Sequence, residues 1–83
     1  MTSQSIESLL SDEAILQEVG CRLLRRRLDL EQTQEELAKE AGVSKRTVER
    51  LEAGESTQMT SFLRILRALD LLTGLDQALL VPG

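Results

Sequence analysis

Apolar side chains recur along this chain at intervals of three and four, the repeat of one face of an α-helix. Ile15, Leu16, Val19, Leu23 and Leu24 draw a first stripe, Leu37, Ala38 and Ala41 a second, and Val48 and Leu51 a third. Phe62, Leu63, Ile65, Leu66 and Leu69 mark a fourth; Leu71, Leu72, Leu75, Leu79 and Leu80 mark a fifth. Ahead of these, Ile6, Leu9 and Leu10 suit one helical turn or an arm that packs on a neighbour. Runs of β-branched residues are few, so the pattern predicts an all-α fold.

Capping residues set the boundaries. Ser11, followed by Asp12 and Glu13, reads as an N-cap with an acidic first turn, opening a helix that should run to about Leu28. Arg25, Arg26 and Arg27 in its last turn suit the negative helix end. Gly20 inside this helix costs about 1 kcal/mol against alanine, which predicts a close packing neighbour there. Residues 29–32 form a loop with Leu30 as its anchor. Thr33 with Glu36 three residues on is a capping box, so a second helix should start at Gln34. Gly42 ends it, Ser44 caps the third, and Gly54 closes the third. A polar connection leads to a fourth helix over residues 59–69 and a fifth over 72–80, ended by Pro82 and Gly83.

Residues 33–54 thus read as two short helices joined by a three-residue turn. Helices crossing at roughly 90–120° through so short a turn approach closely near the first one's midpoint, and Ala38 is small enough to allow it. Leu37, Ala41, Val43, Val48 and Leu51 face inward, while Lys45, Arg46, Glu49 and Arg50 face out. With about seven positions constrained at once, the stretch resembles the helix-turn-helix of the Cro/lambda-repressor-type (Xre) DNA-binding family. The resemblance covers residues 16–80 and implies a compact five-helix domain. Three places depart from the family pattern. Gln32 stands where an apolar residue usually staples the helix entry, Asp70 where glycine is common, and the loop of Glu55, Ser56, Thr57 and Gln58 lacks a base.

A helix over residues 44–53 would lie in the major groove with its first residues against base edges. The resemblance assigns that role to Lys45, Arg46, Thr47, Glu49 and Arg50. Arg46 and Arg50 lie one turn apart, and an arginine gripping guanine O6 and N7 supplies roughly 1–3 kcal/mol of discrimination. Thr47 suits a thymine methyl and Glu49 a cytosine N4; a pair between Glu49 and Lys45 is the alternative. By the same resemblance, Gln34 should fall over the DNA backbone or the first base of a half-site. Arg22, Thr33, Lys39, Ser56 and Thr57 are candidate phosphate contacts, Thr33 second to its capping role. For Arg22 and Lys39 a plain solvated charge is the alternative. Glu55 would repel the DNA. The resemblance also pairs Arg27 with Glu52, an ion pair that holds the recognition helix at its angle. It puts the dimer surface on Leu72, Leu75 and Leu79, with capping of the core as the alternative reading.

Composition narrows the function. At 83 residues the chain is one small domain, with residues 1–10 a flexible arm or short helical turn and 11–83 the DNA-binding unit. Phe62 is the single aromatic, so Leu, Ile and Val build the core. The one cysteine, Cys21, has no internal partner and reads as a small apolar helix residue. Histidine is absent, as is any His/Cys cluster, so no metal, cofactor or enzymatic activity is expected. No stretch has the roughly 18–20 apolar residues of a membrane span, and the start lacks a basic-then-apolar leader; a cytoplasmic protein is expected.

The formal charge is −4, unevenly spread. Residues 1–21 carry four acids and no base, residues 22–50 eight bases against six acids, and the rest two bases against four acids. The positive charge sits on the helix-turn-helix and the helix before it, which permits phosphate contact but keeps it modest. The reading is a sequence-specific DNA-binding regulator, a repressor acting as a homodimer on palindromic double-stranded DNA. Pairing two modules multiplies the few base pairs one can read. The alternatives are an antitoxin that also binds a toxin partner, and a protein-interaction module that has lost DNA binding.

Overall fold

The computed structural model describes residues 5–79. A 3-10 turn at Ile6–Ser8 precedes five helices: α1 (Asp12–Asp29), α2 (Gln34–Ala41), α3 (Lys45–Glu52), α4 (Met59–Ala68) and α5 (Leu72–Ala78). No strand occurs among the described residues. The caps act where the sequence puts them. Ser11 Oγ accepts the Ala14 N–H at 3.1 Å and Ser44 Oγ that of Thr47 at 3.1 Å. Thr33 and Glu36 close a reciprocal box at 3.0 and 2.8 Å. The fifth helix falls short of its expected span: Leu79 is already its C-cap, and Leu80, Pro82 and Gly83 lie outside the described residues.

The first four α-helices end alike. One residue turns left-handed, at Glu31 (φ 57°), Gly42 (73°), Gly54 (87°) and Asp70 (59°). The next N–H then returns to a carbonyl five residues back: Gln32 to Arg27, Val43 to Ala38, Glu55 to Arg50 and Leu71 to Leu66, at 2.8–3.1 Å. These are Schellman closures, which satisfy orphan carbonyls and bring the side chains at the two ends of the bond side by side. In α2 and α4 the paired residues are apolar. In α3 they are Arg50 and Glu55.

The core is Leu23, Leu37, Ala38, Ala41, Val48, Leu51, Ile65, Leu66 and Leu69. α2 packs on both α3 and α4, and α1 on α3. Gly20 has the close neighbour its position predicts: a Cβ there would sit 2.5 Å from the Leu51 carbonyl oxygen and 2.9 Å from that of Glu52. α1 therefore lies directly against the backbone at the end of α3. Gly54 meets the same helix from the other partner, since a Cβ there would reach the Gln17 side chain at 2.8 Å and its Cα at 3.0 Å.

The loop after α1 differs from expectation. Leu30, expected to anchor it, is 40% exposed and lies outside the core. The backbone closure around Glu31 does that work, aided by Gln32, whose carbonyl accepts from Arg27 Nη1 at 2.8 Å and whose Nε2 donates to Glu40 at 2.7 Å. The missing apolar staple at Gln32 is thus offset by hydrogen bonds. Its Oε1 is buried and has no partner among the described residues. In α5, Leu72 and Leu75 pack on the core, whereas Leu79 is 67% exposed.

Candidate nucleic-acid interface

Val48 and Leu51 are buried beneath α3, leaving Lys45, Arg46, Glu49 and Arg50 exposed on its outer face. Two anchors fix that face. Ala38 is buried where α2 and α3 cross, and Gly42 turns the chain between them. On the opposite side Arg27 reaches from α1 to Glu52, with Nε–Oε2 at 2.7 Å and Nη2–Oε1 at 3.1 Å. These side chains are only 9% and 7% exposed, so the pair is a buried, two-point strut between α1 and the end of α3. Gln34 joins it, its Nε2 donating to Glu52 Oε1 at 2.9 Å. Its amide, expected over DNA, is therefore held from behind by the strut rather than lying loose on the surface.

The remaining candidates divide by what already occupies them. The Thr47 hydroxyl lies 2.9 Å from that of Ser44, so its polar end is spoken for within the cap. Arg22 is paired with Glu18 at 2.9 Å, one turn away on α1. Arg50 Nε donates to Glu55 Oε1 at 3.1 Å. Glu55, expected only to repel an anion, instead faces its own arginine. No ion pair joins Lys45 to Glu49 among the described residues, so that alternative is not realised, and Lys45, Arg46 and Lys39 stand exposed without an acidic partner there.

Thr33 is occupied in its capping box. Ser56 and Thr57 line an apolar groove of about 230 Å³ with Leu16, Val19, Leu51, Met59 and Phe62. Sequence reasoning missed Arg26, whose Nε donates to the Leu69 carbonyl at 2.9 Å and so ties α1 to the end of α4. Only the run of three arginines hinted at it, and nothing in that run distinguishes one from the next.

The stretch that holds this pair of helices finds a match among known families. A family model described as helix-turn-helix, of the Cro/C1 type, matches residues 22–74. The chain belongs to that family. Its all-helical architecture is the lambda-repressor-like fold of a helix-turn-helix DNA-binding regulator. The match takes in α2, α3 and α4 entirely, the C-terminal part of α1 and the beginning of α5. No curated protein matches the chain closely enough to refine that assignment. Among the described residues, no group of side chains is arranged to hold a metal ion, and no helix of this helix-turn-helix protein is long and apolar enough to cross a membrane.

Proposed function

We propose that the protein is a transcriptional repressor that binds a two-fold-related operator as a homodimer, with α3 in the major groove. The observation that carries this reading is the outward face of α3, with Lys45, Arg46, Glu49 and Arg50 exposed on a helix whose angle is locked by the buried Arg27–Glu52 pair. A rigid presenting helix is what base readout requires, because hydrogen bonds to base edges tolerate little misplacement. Arg46 and Arg50 are the base-reading arginines, with Thr47, Glu49, Lys45 and Gln34 contributing at neighbouring positions. Lys39 and Arg22 meet phosphate, Thr33, Ser56 and Thr57 add weaker backbone contacts, and the exposed Leu79 extends the Leu72–Leu75 row toward a second copy.

A second reading has its own support. Arg22 and Arg50 are each paired with an acid of the same chain, and the net charge is −4, which suits a protein-interaction module that has lost DNA binding. Selection from a random duplex library at near-physiological salt separates the two. Enrichment of a palindrome with half-sites one helical turn apart supports the repressor. A folded protein that enriches nothing overturns it in favour of the interaction module.

A further inference from the structure

Resting on the assignment of Arg50 as a base reader, we propose that Glu55 is a specificity-determining residue, which holds the Arg50 guanidinium edge-on for guanine. Glu55 is itself well placed. Its N–H is bonded to the Arg50 carbonyl at 2.9 Å, and the left-handed Gly54 before it is backed by Gln17. The Schellman closure of α3 thereby delivers a carboxylate beside the one arginine at the C-terminal end of the reading face.

The chemistry of the contact is selective. A guanidinium presents five N–H donors in one rigid plane. Glu55 takes the Nε–H, which fixes the direction of that plane, and Nη1 and Nη2 bond to none of the described residues. The edge left over carries two parallel donors, the arrangement that matches O6 and N7 of guanine. The carboxylate also offsets the arginine's charge, so the side chain gains less by leaning on a phosphate of any sequence. Stability is not the reason for the pair. Its side chains are 47% and 57% exposed, and ion pairs so exposed contribute little to folding.

The test compares the full chain with Glu55→Ala, Glu55→Gln and Arg50→Ala, measuring affinity for the selected site, its single-base-pair variants and an unrelated duplex over a salt series. Thermal melting confirms that each variant is folded. Glu55→Ala should bind the unrelated duplex more tightly, with a salt slope steeper by about one, and lose roughly threefold or more of the guanine preference at the position Arg50 controls. Glu55→Gln, whose amide oxygen still accepts from Nε, should keep the preference. If Arg50→Ala erases the preference but Glu55→Ala leaves it unchanged or sharpens it, Glu55 does not orient the arginine and the proposal falls alone. If Arg50→Ala alters no base preference, or the wild-type chain selects no site, the assignment of Arg50 fails and takes the proposal with it.

Discussion

Gly20 of α1 lies against the carbonyl oxygen of Leu51 in α3, so close that a methyl group in its place would stand 2.5 Å from that oxygen. The obstacle is backbone, which cannot swing aside as a side chain does. Gly20→Ala gains about 1 kcal/mol of helix propensity but overpacks the crossing, so denaturant unfolding should show a net loss of about 1–3 kcal/mol. DNA affinity should fall as well, because relief of the clash moves the C-terminal end of α3.

The Arg27–Glu52 strut is buried on both sides. Removing one partner strands a charge, so Glu52→Ala should destabilise the fold by about 3–5 kcal/mol. Replacing both residues with apolar ones of similar volume should cost much less than the sum of the single changes, which a double-mutant cycle measures directly. Equal additive losses would show that the charges act independently.

Asp70 and Glu31 occupy left-handed backbone without being glycine. Asparagine and aspartate tolerate that region better than glutamate, so Glu31 is the more strained of the two. Glu31→Gly and Asp70→Gly should each raise the unfolding free energy by about 0.5–1 kcal/mol, read from the denaturant midpoint. Neither change touches the outer face of α3, so operator selection should be unaltered.

Leu79 is the clean probe of self-association. Leu75 packs on the core, so a charge there would damage folding and assembly together. Leu79→Asp, at a position already 67% exposed, should leave the melting temperature nearly unchanged yet yield monomers by sedimentation. A Leu79→Asp protein that remains dimeric locates the interface elsewhere.

Lys39 is exposed near the end of α2, and no acid pairs with it among the described residues. Lys39→Ala should weaken binding to every sequence alike and reduce the salt slope by about one, the signature of a phosphate contact. Arg46→Ala, by contrast, should change preference at a single base position.

Local chemistry was the legible part of this chain. Ser11, Thr33 and Ser44 announce their caps, and Gly20 announces a close crossing, because each residue type has few other reasons to be where it is. The left-handed turn at Glu31 was hidden because glutamate is a poor choice for it, and its cost is met by the backbone bonds around it. Leu30 misled for the opposite reason: an apolar residue in a loop looks like an anchor, yet bonds from Gln32 made one unnecessary. The contact of Gln34 with Glu52 spans two helices and depends on their angle, which periodicity does not encode. The pairing of Arg50 with Glu55 was within reach, since a glycine at 54 implies a Schellman closure and that closure sets residues 50 and 55 together.

The brevity of α5 has a consequence for the molecule's internal motions. Its seven residues begin without a side-chain cap, and Leu72 and Leu75 are its hold on the core. Such an element opens without waiting for the rest of the chain, so its amide protons should exchange with deuterium well before those of α2 and α3. If Leu79 meets a second copy, that exchange should slow as protein concentration rises while the protection of α2 and α3 stays the same. Ordering of the last helix and association of two chains would then be a single equilibrium.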